Sequence, residues 1–357
     1  MDRTTTITLR LANQRLTGST LVSASELVRW MGMVQSQDYK HFRWAIAMRL
    51  REPRLRAVSD AFASGDVLRQ HLFRCTVQTV CREDLPWMAA LCRERNLRTI
   101  QSWPSYNLTE FSPQYLQEAT DALRTLLQGG KSLTKAEIGQ GMEQLRMPSD
   151  TPHLNQLLLR GEVEGIVCSG VLRGKGSTWA LASERIQGVS ATTAISEEEA
   201  LGLLARKYFQ SHSPASFDDF CWWTGLTRAQ CRKGVERIAP NLQEIEVEGH
   251  PMFLYQASGT LPAPPPDKAV HLLPPYDEYL VGYKSRWVSL DREHEARAHN
   301  RFGIFRPVVL YEGKVVGNWK ADVDNALRME TDLFVRKRDV GVRRLEAAER
   351  LLRDFSL

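Results

Sequence analysis

Over the first two-thirds of the chain, apolar residues recur at the three- and four-residue spacing of helices that face a core. The clearest stretch is SFDDFCWWTGLTRAQCRKGVERI, residues 216–238. Ser216 with Asp219 three positions on matches a capping box, so a helix starts near Phe217, and Gly225 is placed to end it as a left-handed cap. Thr227 with Gln230 forms a second box and starts the next helix. Two short helices around a glycine turn are a helix-turn-helix pattern. In the second of them Arg228 and Arg232 are four apart, as are Lys233 and Arg237, which makes a basic flank. Such a flank suits phosphate contact in a DNA groove, although solvated charged faces on packing helices look the same.

A second unit covers 109–185. Thr134 and Glu137 form a capping box before KAEIGQGMEQL, and HLNQLLLRGEVEGIV puts Leu154, Leu157 and Leu158 on one face of a partner helix. VLRGKGSTWAL, residues 171–181, reads as strand, Gly-Lys-Gly turn, strand, the wing of a winged helix, with Arg173 and Lys175 at its tip. Near 55–82, RLRAVSDAFASGD is helical and LRQHLFRCTVQTVC strand-like. From about 243 the pattern becomes alternation. LQEIEVEGHPMFLY turns at Glu248-Gly249 and RPVVLYEGKVVGNWKA at Glu312-Gly313, as expected of closely spaced hairpins in a small antiparallel barrel or curled sheet. RRLEAAERLLRDF is an amphipathic helix suited to covering one edge of it.

Composition narrows the class without choosing it. A chain of 357 residues, 43% hydrophobic and 25% charged, is expected to be globular and to hold two to four modules. Net charge of +5 permits a polyanionic partner but does not demand one. The six cysteines show no C-x-x-C pair, so reduced thiols in a cytoplasmic protein are expected, with no metal and no cofactor. The N-terminus is polar, without a signal peptide, and no apolar run is long enough to span a membrane.

Candidate chemistry lies in two places. In MVQSQDYKHF, residues 33–42, Gln35 and Gln37 flank Ser36 and are followed by Asp38. Residues two apart sit roughly 200° apart on a helix, so the two amides converge only where the chain is irregular or extended. They can position a molecule or cap backbone groups, and Asp38 is a candidate water-activating base. In HLLPPYDEYLVGYKSR, residues 271–286, the adjacent carboxylates of Asp277 and Glu278 point apart on either a helix or a strand. A buried polar network of Tyr276, Asp277, Tyr283 and Arg286 is the favoured reading there.

Taken in order, MVQSQDYKHFRWAIAMRL, HLFRCTVQTV, GEVEGIVCSGVLRGKGSTWAL, SFDDFCWWTGL, LLPPYDEYLVGYKSR and RPVVLYEGKVVGNW resemble the AlkZ-like tandem winged-helix DNA glycosylases, over nearly the whole chain. The resemblance implies an α+β protein with three winged helices and a small C-terminal antiparallel β-barrel, arranged as a clamp on duplex DNA. On this chain those modules fall at 1–105, 106–190 and 191–242, with the barrel and terminal helix at 243–357. The resemblance also makes Gln35-Ser36-Gln37 the catalytic Gln-Φ-Gln motif, with Ser36 in place of the usual aliphatic residue. Gln78 stands where the family commonly has histidine. In the family's other branch Asp replaces the second glutamine, and this chain keeps the glutamine.

The implied activity is monofunctional hydrolysis of the N-glycosidic bond of N7-alkylated purines, crosslinked ones included. A guanine alkylated at N7 is cationic and leaves as a neutral base, so no acid is needed. Amides suffice to hold a water under C1′, and they spare normal DNA. The expected partner is double-stranded DNA carrying alkylated or crosslinked purines, bound by a monomer through Arg173, Lys175, Arg228, Arg232, Lys233 and Arg237. The alternative is a non-catalytic DNA-binding protein or regulator that keeps the clamp without the chemistry.

Overall fold

The structure is a computed structural model that describes residues 1–103, 112–173, 176–188, 195–256, 268–322 and 328–356. The chain forms two compact units. One contains Met1–Val58 and Leu201–Leu357, the other Ser59–Ala200.

In the 59–200 unit, helices Pro113–Leu127, Lys135–Gln144 and Thr151–Val163 pack around Leu123, Ile138, Met142, Leu154, Leu157 and Leu158. The capping box of Thr134 and Glu137 starts the middle helix as its sequence requires. A three-stranded sheet follows, in which Thr178–Leu181 lies between Leu133–Thr134 and Val167–Ser169. The expected wing therefore begins earlier than 171, and Arg173 pairs with Gly176 near its tip as an isolated bridge. A second hairpin, Val67–His71 with Val77–Cys81, is closed by Gln78, whose Nε2 donates to Phe73 O at 3.1 Å and Thr76 Oγ1 at 2.6 Å. Gln78 here fastens its own hairpin turn.

Among the described residues this unit buries two acids, Asp84 and Glu162, and Glu162 is the one held by a histidine. Glu162 Oε2 accepts from His71 N at 3.0 Å and contacts His71 Nδ1 at 2.7 Å, while Oε1 accepts from Trp179 Nε1 at 2.7 Å. Burial alone would raise the Glu162 pKa. The charge and hydrogen bonds of His71, joined by Trp179, outweigh burial and hold it below the ordinary carboxylate value.

In the other unit, helix Phe217–Thr224 ends at Gly225 with φ 63°, and helix Arg228–Arg237 follows; both expected capping boxes are formed. Strands Leu242–Val247 and His250–Tyr255 make the first hairpin, and Val308–Tyr311 with Lys314–Asp322 the second. Each turns on a Glu-Gly pair with both φ positive, 47° and 85° at Glu248-Gly249 and 48° and 71° at Glu312-Gly313. Positive φ at both central residues matches the strand twist of a two-residue hairpin.

The expected barrel does not close. Among the described residues, Val270–Leu273, Val308–Tyr311, Lys314–Asp322 and Arg328–Leu333 form an open antiparallel sheet in chain order, and the 242–255 hairpin is a separate two-stranded ribbon. Closure needs the two outer strands to meet. Here the outer strand Val270–Leu273 is packed by helix Val342–Ser356, whose Leu345, Ala348, Leu352 and Phe355 form a buried stripe. The helix protects that edge in place of closure.

Because Glu162 is held below its ordinary pKa, its contribution is present above the unfolded-state value and is lost as pH falls through the folded one. Glu162→Gln should therefore be less stable than wild type at pH 7 by about 1–3 kcal/mol. The gap should narrow below roughly pH 4, where an unfolded glutamate also protonates. Urea midpoints at the two pH values test this; a gap of constant size would rule out the charged pair as its source.

Candidate active site

Helix Ala24–Met31 is stopped at Gly32, whose φ of 82° is a backbone conformation that side chains disfavour. Space demands glycine there too, since a Cβ on Gly32 would lie 2.8 Å from Lys207 Cβ. The chain leaves the helix into a short buried strand, Met33–Gln35, and only at Phe42 does the next helix, Phe42–Ala47, begin. The glutamine motif thus lies in the non-helical stretch that convergence of its side chains requires.

Local bonds crimp this stretch. Gln35 Oε1 accepts from the N–H of Ser36 at 2.9 Å and of Gln37 at 3.2 Å, and Ser36 Oγ donates to Val34 O at 2.9 Å. Two backbone donors at one amide atom identify it as the oxygen. Gln35 and Ser36 are buried, and Gln37 is exposed. Asp38 comes next, half-buried. Its Oδ1 accepts from His41 N at 2.9 Å and meets His41 Nδ1 at 2.9 Å, and its carbonyl accepts from Phe42 N at 3.0 Å. Burial would raise the Asp38 pKa, but the hydrogen bonds and charge of His41 prevail and lower it. The His41 ring stands edge-on to Trp319 at 5.7 Å, and Trp319 Nε1 donates to Leu273 O at 2.7 Å, so the sheet backs the dyad.

Beneath the motif lies Glu278. The backbone N–H of Gln35 donates to Glu278 Oε1 at 2.6 Å, and Trp223 Nε1 donates to Oε2 at 3.1 Å. His212 Nε2 faces the same Oε2 at 3.4 Å, with Glu278 and His212 both buried. Ser211 Oγ is 2.7 Å from Lys207 O, to which it donates, so it accepts from His212 Nδ1 at 2.8 Å. The adjacent Asp277 faces elsewhere, as neighbouring carboxylates should. Arg49 clamps it with two bonds of 2.6 and 2.8 Å, reaches Ala45 O at 2.7 Å, and holds Gln14 by its carbonyl at 3.0 Å.

Sequence reasoning thus placed a buried network at 276–286, and the structure redraws its membership. Asp277 and Tyr283 are linked through Gln14, whose Nε2 donates to Tyr283 Oη at 3.2 Å. Arg286 instead donates to the carbonyls of Leu280 and Lys284. The residues missed were Glu278, His212 and His41. A histidine three residues after an aspartate was the only signal available for His41.

Of the six residues expected to contact DNA, five lie among the described residues. Arg228, Arg232, Lys233 and Arg237 are exposed on one helix, where Arg228 pairs with Asp218, itself bonded by Lys284 at 3.0 Å. In the other unit Arg173 pairs with Glu137 at 3.1 Å, a surface contact that DNA phosphate can displace. Lys175 lies outside the described residues. A cleft of about 1040 Å³, lined by Asp218, Glu244, Lys284 and Trp287 among others, contains none of residues 35–41. Among the described residues, no three His, Cys, Asp or Glu side chains cluster to hold a metal, and no helix is long and apolar enough to cross a membrane.

The chain belongs to the AlkZ-like DNA glycosylases: the family model "DNA glycosylase AlkZ-like" matches residues 28–355. It is accordingly a glycosylase, a hydrolase of N-glycosyl bonds. It is 25% identical over 325 residues to the "Interstrand DNA cross-link repair glycosylase" of Streptomyces sahachiroi, covering 87% of this chain and 85% of that protein. Its fold is similar to the solved structure of Streptomyces sahachiroi DNA glycosylase AlkZ, with a TM-score of 0.77 and 21% identity over 100% of this chain and 97% of that one.

Removing the Glu278 carboxylate strands buried donors from Gln35 and Trp223. Glu278→Ala should cost about 3–5 kcal/mol of stability, and Glu278→Gln, which keeps an acceptor, distinctly less. Hydrogen exchange at the Gln35 amide should accelerate in the alanine variant. Were stability and exchange unchanged in both, these bonds would contribute nothing to holding the motif.

Proposed function

We propose that the protein is a monofunctional glycosylase that hydrolyses the bond between deoxyribose and N7-alkylated purines in double-stranded DNA, unhooking crosslinked purines among them. The crosslink reading is supported by the name of the Streptomyces relative. The observation that carries the chemistry is the pairing of an exposed amide, Gln37, with a carboxylate, Asp38, whose pKa is lowered by His41.

A cationic leaving group departs without a proton, so the site has two tasks: to place water, and to tolerate positive charge growing on the sugar. The two glutamines serve the first. The Gln37 carbonyl accepts from the water, and Gln35 clamps the turn that aims it. Asp38 serves the second. A carboxylate kept ionised well below neutral pH is a poor proton acceptor but a good fixed negative charge beside an oxocarbenium-like centre.

The finer architecture belongs to the same reading. Residues 1–105, 106–190 and 191–242 are taken as three winged-helix modules, which bind as a monomer. Helix pairs followed by hairpins at 135–181 and 217–255 support this. Arg173, Lys175, Arg228, Arg232, Lys233 and Arg237 are proposed to touch phosphates.

Base release from a duplex containing 7-methylguanine, revealed by alkaline cleavage at the abasic site, is the deciding assay. Gln35→Ala and Gln37→Ala should each slow it by on the order of 10²-fold, the scale of lost positioning. Binding should barely change, and the double variant should lose less than the product because the residues act as a unit. Gln37→Glu, a good acceptor, should keep activity on a cationic lesion. Loss of activity in Asp38→Asn alone, with both alanine variants near wild type, would make the carboxylate the base. A wild type that binds DNA and releases nothing would point to a non-catalytic DNA-binding protein.

Neutralising Arg173, Lys175, Arg228 and Arg232 together should weaken duplex binding about equally for all sequences and flatten its salt dependence. An unchanged affinity and salt slope would show that the DNA surface lies elsewhere.

A further inference from the structure

The 298–306 segment is a small hairpin built to hold its shape. Arg306 N donates to Ala298 O at 2.8 Å, His299 pairs with Phe305, and Asn300 N donates to Ile304 O at 3.1 Å. At the tip Gly303 takes φ 78° and donates to Asn300 O at 3.1 Å. The Asn300 side chain accepts from the backbone of Phe302 at 3.0 Å and of Ile304 at 3.1 Å. These bonds fix the tip before any partner arrives, and what the tip displays is apolar. Phe302 is 75% exposed and Ile304 48%. A single exposed apolar side chain is ordinary. A bulky aromatic at the summit of a fully bonded turn, with Ile304 beside it, requires a better account.

Charge indicates the partner. Arg301 and Arg306 flank the tip with no acidic residue between Ala296 and Leu310, while Arg297 at the other foot is paired with Asp332 at 2.6 Å. Arg301 lies over the Phe302 ring at 4.9 Å, and Arg306 is exposed at the foot of the hairpin. An aromatic ring between arginines suits a base stack between two phosphate backbones.

Position links the hairpin to the chemistry. Its foot, Phe305, is buried against Tyr276 at 6.1 Å and lies under Arg286 at 4.8 Å. Tyr276 precedes Asp277 and Glu278, and Glu278 carries the backbone of Gln35. One three-residue segment therefore supports both the glutamine turn and the hairpin.

We propose that Phe302 is a wedge that enters the DNA base stack beside the damaged nucleotide and fills the gap as that nucleotide turns toward Gln37. Chemistry on a base in a duplex requires unstacking it, and a rigid ring that replaces the lost stacking offsets that cost. This rests on the reading that the substrate is a purine lesion within duplex DNA.

The test uses the full chain and a duplex holding a 2′-fluorinated 7-methylguanine nucleotide, whose glycosidic bond resists hydrolysis, next to 2-aminopurine. Wild type should raise the 2-aminopurine fluorescence on binding, Phe302→Trp should do likewise, and Phe302→Ala should lose the rise. With hydrolysable 7-methylguanine, Phe302→Ala should slow release from a paired duplex by on the order of 10-fold or more, the scale of one lost stacking contact. Release should be much less affected when the lesion faces an abasic site and is already poorly stacked. An unchanged fluorescence rise in Phe302→Ala, or equal slowing on both duplexes, would overturn the proposal. The fluorescence arm needs no turnover, so it reads the wedge even if the glutamine chemistry is wrong.

Discussion

Two neighbouring carboxylates, Asp277 and Glu278, are buried side by side in sequence and turned to opposite partners, and the larger unit is organised around them. Two adjacent buried charges are tolerable only if each is neutralised or fully bonded. Arg49 meets Asp277 in a two-bond clamp and also holds Gln14 and Ala45, so one guanidinium fastens the end of helix Arg3–Asn13 and helix Phe42–Ala47 to residue 277. Glu278 is satisfied by Gln35, Trp223 and His212. Remove either set and a bare charge remains in the core, where its cost far exceeds that of a lost surface contact. Segments far apart in sequence are thereby tied to one point, and the glutamine turn is one of them.

The same arrangement explains how a weakly bonded sequence such as Gln-Ser-Gln can be a site. Amides have many rotamers and little charge, so left on a loop they would point everywhere. Here the backbone of Gln35 is anchored from below by Glu278. Its side chain closes the turn from above through Ser36 and Gln37, and Ser36 locks back on Val34. A small hydroxyl at position 36 does something an aliphatic residue cannot: it supplies a bond to the backbone. The departure from the family's aliphatic residue has a local structural role in this chain.

How far the sequence could be read depended on the range of the interaction. Capping boxes at Ser216, Thr227 and Thr134, the Gly225 cap and both Glu-Gly turns were legible because each is settled within about four residues by backbone geometry. Glu278 was passed over for a sound local reason, the divergence of adjacent side chains. That reason was correct and still misleading, since divergence is what lets each acid hold a separate part of the core. Its partners lie 55, 66 and 243 residues away, and nothing local marks them. The expected barrel fails to close for a related reason. Alternation identifies strands, but whether a sheet closes depends on what covers its edges, and here the terminal helix packs on one.

Buried charge, depressed acidity and exposed amide fit together as one design. Proton-transfer catalysis requires a group poised to change its protonation near working pH, which in turn requires an environment that leaves it indifferent. Asp38 is in the contrary situation: held by His41 against the effect of burial, it is committed to its charged form. A site built from a committed anion and a neutral amide has little to offer an uncharged purine, which would need a proton to leave. It offers much to a base that is already cationic. Under the proposed function, selectivity for labile lesions would need no tight recognition of the lesion itself, since it would follow from the absence of acid where an acid would attack normal DNA.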